Sequence, residues 1–83
     1  MKNKYFYYVV VCIDDEARFV TQINNATKYA HWNKDEAPMD FAKSTAEDLA
    51  YCLNLNFYPS FVLQSYYKIE TQIFVKKEQK DEE

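Results

Sequence analysis

One histidine, two cysteines and a run of three carboxylates are the side chains in this sequence whose types could do chemistry. His31 beside Cys12 or Cys52 would make an activated thiolate, the imidazole taking the thiol proton and leaving a strong nucleophile. A reactive thiolate needs a cationic neighbour to lower its pKa. Both cysteines lie instead in apolar runs, YVVVCI and AYCLNL, with no basic residue beside them. They read as buried free thiols, and His31 as a polar residue on an outer sheet face beside Tyr29. A structural zinc centre takes about four Cys or His ligands, and the chain holds three, at positions 12, 31 and 52. Asp14, Asp15 and Glu16, and again Asp35 and Glu36, have the charge to hold a metal. Consecutive carboxylates in a turn face water, however, and the calcium-loop pattern with its glycine is missing from the sequence. No nucleophile, base and orienting group line up. The expectation is therefore a protein that is not an enzyme, with no catalytic residue, no metal and no cofactor.

Composition narrows the partners. The net charge is −3, and Arg18 is the only arginine among ten basic residues. Nucleic acid is bound through a clustered basic footprint, so it is an unfavoured partner. With 13 acidic residues against ten basic ones, the field for mimicking phosphates is weak too. The absence of glycine removes phosphate-binding Gly loops and dinucleotide fingerprints. It also leaves Asn and Asp to supply any positive φ. No apolar run approaches the roughly 20 residues that cross a membrane, and no leader segment is recognisable, so a cytoplasmic location with reduced thiols is expected. What the chain has in excess is rings: eight Tyr, six Phe and one Trp. Tyr5, Tyr7, Tyr29 and Trp32 could stack nucleobases as sheet-based RNA readers do. Without arginine around them they read better as rings packed on a helix or across strands, or exposed at a protein interface.

The elements that must position these side chains follow from periodicity. Residues 4–13 alternate as a strand with two apolar faces, Tyr5, Tyr7, Val9, Val11 and Ile13 on one and Phe6, Tyr8, Val10 and Cys12 on the other. DDEA at 14–17 is a turn, 18–24 a second strand, NN at 24–25 a hairpin turn, and ATKYAHW a third strand of a meander. STAEDLAYCLNLN is a helix, with Ser44 or Thr45 capping it and Glu47 completing a capping box. Ala46, Leu49, Ala50 and Leu53 form its core stripe, and Asn54 or Asn56 ends it. Residues 60–75 alternate without a break. That stretch either bends or pairs outside the domain, being on the order of 50 Å long at about 3.3 Å per residue. The expected fold is α+β: an antiparallel or mixed four-stranded sheet, β-β-β-α-β, with one helix packed on one face. One domain covers 1–75, and KKEQKDEE at 76–83 is a charged flexible tail. The helix can cover only one face of the first strand, so the other is expected to meet a second copy or a target.

The order YFYYVVV, Phe19-Val20-Thr21, Ala37 and Phe41, Thr45-Ala46-Glu47 and the strand from Phe61 resembles small phage and prophage proteins of Gram-positive bacteria. The resemblance covers about residues 5–70. That group includes inhibitors of bacterial immunity, anti-CRISPR proteins among them. It implies an accessory protein, working in the host cytoplasm, that binds and sterically inhibits a host protein such as a defence effector. The expected contacts are Tyr29, His31 and Trp32 on the meander and Tyr66, Lys68 and Glu70 on the outer face of the last strand. A homodimer is expected as well, and the rival readings are a homodimer with mainly a structural role and a homodimeric small-ligand or nucleic-acid binding module.

Overall fold

The computed structural model of the protein describes residues 4–24, 27 and 29–72. β1 (Phe6–Ile13) is the centre of a three-stranded antiparallel sheet, with β2 (Glu16–Phe19) on one side and β5 (Ser60–Ser65) on the other. β1 and β2 are joined by Asp14 and Asp15 alone, at φ 51° and 65°. Positive φ at both central residues matches the right-handed twist of a hairpin, and aspartate here does what glycine more often does.

The expected second strand is broken. Val20 N–H still donates to Val9 C=O at 2.9 Å, but Thr21 N–H donates to His31 C=O at 2.7 Å. From there β3 (Gln22–Asn24) pairs only with β4 (Tyr29–His31), in a separate two-stranded sheet. The cause is competition for the place beside β1. Phe41 N–H donates to Tyr7 C=O at 2.8 Å, and Met39 N–H to Val20 C=O at 3.0 Å, where a straight second strand would have run. The fold is a small α+β domain, but its strands divide three and two rather than forming one four-stranded sheet. The turn expected at 24–25 lies partly outside the described residues.

α1 (Lys43–Leu55) buries Ala46, Leu49, Ala50 and Leu53 against Val9, Val11, Val20 and Phe41, as its periodicity predicts. Its start differs. Ala42 is the N-cap, extended at φ −64° and ψ 152° with no side-chain bond, so no capping box forms and no acid falls in the first turn. The bonds of Met39 and Phe41 hold the chain extended up to Ala42, and the helix begins as soon as it leaves them. At the other end Tyr58 N–H donates to Leu53 C=O at 2.9 Å and Phe57 N–H to Asn54 C=O at 3.1 Å. That is a Schellman termination, whose left-handed position is usually glycine. Asn56 is the C-cap, but the left-handed residue is Phe57, at φ 68°.

The second face of β1 has a cover from its own chain. The long strand stops at Ser65, whose hydroxyl donates to Tyr67 C=O at 2.7 Å and accepts Tyr67 N–H at 3.0 Å. Such local bonds compete with a sheet ladder. The following residues cross the sheet: Ile69 packs on Tyr8, Val10 and Phe19, and its N–H donates to the Tyr8 hydroxyl at 2.7 Å. Tyr8 and Val10 are left 0% and 1% exposed. The expectation that this face awaits a partner is therefore corrected over these residues. The predicted strand at 73–75 and the tail at 76–83 lie outside the described residues.

Candidate interaction surface

Hydrogen-bond alternation decides which backbone groups the sheet presents at its two edges. Val20 shares a bond with Val9, so by antiparallel alternation Arg18 bonds to β1 while Ala17 and Phe19 turn their amide and carbonyl outward. Gln72 meets Phe19 there. Its Nε2 donates to Phe19 C=O at 2.7 Å and its Oε1 accepts Phe19 N–H at 2.9 Å, as a neighbouring strand would. On the far side Cys12 N–H donates to Pro59 C=O at 2.8 Å, so Phe61, Leu63 and Ser65 bond to β1 while Ser60, Val62 and Gln64 face out. Asn54 does for Ser60 what Gln72 does for Phe19. Its Nδ2 donates to Ser60 C=O and its Oδ1 accepts Ser60 N–H, both at 2.9 Å. Among the described residues, the outward backbone groups of Val62 and Gln64 have no partner.

Exposed rings gather where α1 ends. Tyr51 and Leu55, four residues apart, lie on helix positions turned from the core stripe and are exposed. Phe57 follows, 90% exposed. Tyr58 meets Trp32 edge-on at 5.4 Å between ring centres. A second group lies at the end of β5, where the Tyr5 and Tyr66 rings stand 4.9 Å apart and Tyr67 is exposed. The hydrogen bond with Tyr66, and then the charge that Tyr66 would carry, raise the Tyr5 phenol above its ordinary value.

The six expected contact residues fall in separate places. Tyr29 and His31 share the exposed face of β4, while Trp32 turns to the helix-side core and is half-buried. Tyr66, Lys68 and Glu70 are exposed, but they follow the end of β5 and are not on its outer face. No hydrogen bond or ring contact among the described residues joins these two groups. Phe57 and Tyr51 were missed. A Tyr and a Phe near a helix end carry no periodic signal, and only the backbone shows that Phe57 occupies the left-handed position.

The chemistry-bearing residues stay apart as well. Cys12 is half-buried and Cys52 exposed, so the burial expected of Cys52 is not found; both thiols are free. They sit on opposite sides of the sheet, since Cys12 shares the face of Tyr8 and Val10 while α1 covers the other. Among the described residues no group of three or more His, Cys, Asp or Glu is placed to hold a metal. Tyr7 and Trp32 pack on the helix-side core, which dissolves the suggested base-stacking platform. A cleft of about 270 Å³ lies between Ile13, Asp14, Glu16, Arg18 and Trp32. Arg18 is already paired with Glu16 at 2.7 Å, and the volume falls below the roughly 300 Å³ at which ligand pockets begin. Among the described residues no helix is long and apolar enough to cross a membrane. No family model, no curated protein and no solved structure matches the chain.

Proposed function

We propose that this is a non-enzymatic binding protein that covers a surface of a host protein, an immunity effector being the class of target that the phage-type resemblance indicates. Phe57 carries the reading. Its ring is 90% exposed on a backbone at φ 68°, a conformation that costs an L-residue roughly 1–2 kcal/mol. Neither choice helps the monomer fold, since glycine would serve the turn better and a polar residue would serve the surface better. Strain kept on an exposed ring is the pattern of a binding anchor. Tyr51, Leu55 and Tyr58, exposed on the same helix and just after it, supply further apolar surface. The steric mechanism needs nothing further: bound through these rings, a 10.0 kDa domain excludes whatever that surface otherwise meets.

Phe57→Gly separates function from folding. Glycine relieves the left-handed backbone, so the melting temperature rises, with a gain of about 1 kcal/mol. The expected result is a more stable protein that no longer retains the stoichiometric partner captured from a bacterial lysate by the unaltered chain. Retention of the same partner by Phe57→Gly would overturn the assignment of this ring. Salt-sensitive binding of RNA or DNA with no protein partner would overturn the whole reading. Tyr29→Ala and His31→Ala on β4 then test whether the expected hairpin contacts belong to the same surface.

A further inference from the structure

We propose that the outer edge of β5 pairs with itself: two copies of this chain join there, antiparallel about Leu63, into one continuous six-stranded sheet. This pairing does not use the Phe57 ring: Tyr51 borders both surfaces, but Phe57→Gly removes no group from the β5 edge and Gln64→Pro removes none from the ring surface.

The edge is open only between two stops. At its start Asn54 occupies both backbone groups of Ser60, and at its end Ser65 bonds to Tyr67 and turns the chain away. The stretch between, Phe61–Ser65, has Leu63 at its midpoint and Val62 and Gln64 as its outward residues. A two-fold axis through Leu63 sets Val62 opposite Gln64 of the second copy and Gln64 opposite its Val62. Both pairs then exchange N–H and C=O bonds, and every free group on both edges is used.

Charge agrees with that occupant. SFVLQS holds no charged residue, so no like charges meet when it lies against itself. Natural edges that must stay single are defended by charges, proline or bulges, and between Phe61 and Ser65 there is neither charge nor proline. Stable dimers bury about 1,200 Å² or more in total, which two short strands do not reach alone. Neighbouring rings add to it. Phe61 is 49% exposed on one face of β5. Tyr51 lies one turn from Asn54, on the flank of α1 that reaches over this edge. α1 rests over β1 and β5. With strands about 4.8 Å apart, joining the edges brings the two copies' helices to about 10 Å, the distance at which helices pack.

The test is concentration-dependent mass together with amide exchange on the full chain. Light scattering is expected to rise from 10.0 kDa toward twice that value across the micromolar range. Exchange at the Val62 and Gln64 amides is expected to slow by about tenfold or more over the same range. Gln64→Pro removes an outward N–H without touching a bond to β1 and should leave a monomer. If that variant does not fold, exchange on the unaltered chain decides. A 10.0 kDa species throughout, with both amides exchanging at one rate, overturns the proposal. So does a dimer in which neither amide gains protection. So does a monomer that protects them only when another protein's extended peptide is added.

Discussion

The two edges of the main sheet begin with the same liability and end differently. β2 is short and carries Glu16 and Arg18, ion-paired at 2.7 Å, beside its outward-facing Ala17. Its other outward residue, Phe19, is met by Gln72 from 53 positions away. β5 is longer and uncharged, and it is met only at its first residue, by Asn54 from six positions away. Both devices are the same piece of chemistry: a side-chain amide has one donor and one acceptor at the spacing of a peptide group, so it can stand in for one residue of a missing strand. A chain that closes one edge at Phe19 and flanks its outward Ala17 with two charged side chains, but meets the other edge only at Ser60, has left the remainder of β5 usable. Folding alone would have been served as well by a lysine at position 64.

The largest break in this comparison comes from Gln72→Ala. It removes two part-buried hydrogen bonds and loosens the segment whose Ile69 covers Tyr8 and Val10. At about 1 kcal/mol per bond, with further loss from the uncovered face, the expected cost is ~2–3 kcal/mol. A drop of roughly 10–20 °C in melting temperature follows, read by calorimetry. A shift of only a degree or two would mean that Gln72 decorates the β2 edge without closing it.

Asn54→Ala sharpens the other side. The amide donates to Ala50 C=O and Ser60 C=O and accepts Ser60 N–H, each at 2.9 Å. Alanine recovers some helix propensity, so the net cost is about 1–2 kcal/mol in the monomer. It also frees Ser60, adding a third outward residue to the open edge. If Asn54 sets where pairing stops, the variant is less stable as a monomer yet associates at least as well. Pairing can then move its axis from Leu63 to Val62, which sets Ser60 opposite Gln64 of the second copy, and amide exchange should show Ser60 joining Val62 and Gln64 in the protected set at high concentration. Weaker association would mean that the edge does not extend when the amide is removed.

These devices also mark where sequence reasoning reached its limit. The alternation of residues 4–13 and the stripe Ala46, Leu49, Ala50 and Leu53 were legible because a buried face repeats with the period of its own element. The central place of β1, with β5 beside it, followed from its two apolar faces. The break after Val20 was not legible, because nothing local distinguishes a strand that continues from one displaced by Phe41, which arrives about twenty residues later. The end of β5 was hidden for the opposite reason: Tyr66 to Gln72 keep the period of a strand while crossing the sheet as a cover. Of the surface, Tyr29 and Tyr66 were legible as exposed rings. Phe57 was not, since the rule that assigns positive φ to Asn or Asp held at Asp14 and Asp15 and failed at the helix end.

That contrast gives the smallest and cleanest prediction. Asp14 and Asp15 occupy both central positions of the β1–β2 hairpin, at φ 51° and 65°. Aspartate tolerates this conformation better than most residues but less well than glycine. Asp15→Gly, which creates the preferred Asp-Gly pair, should stabilise the hairpin by about 0.5–1 kcal/mol, allowing for the extra freedom glycine gives the unfolded chain. The turn stands at the same end of the sheet as Phe57, since Cys12 N–H donates to Pro59 C=O at 2.8 Å, but the exchange removes no ring from the proposed surface and no group from the open edge of β5. Binding and self-association are therefore expected to stay unchanged while the melting temperature rises by a few degrees. Phe57→Gly makes the same backbone exchange at the other strained site, with loss of binding as its expected companion. If both variants gain stability and only the second loses its partner, strain at Asp15 belongs to the turn and strain at Phe57 belongs to the ring it displays. If both leave binding intact, the two sites are alike, and the exposed phenyl ring has no more to do with a target than the carboxylates of the hairpin.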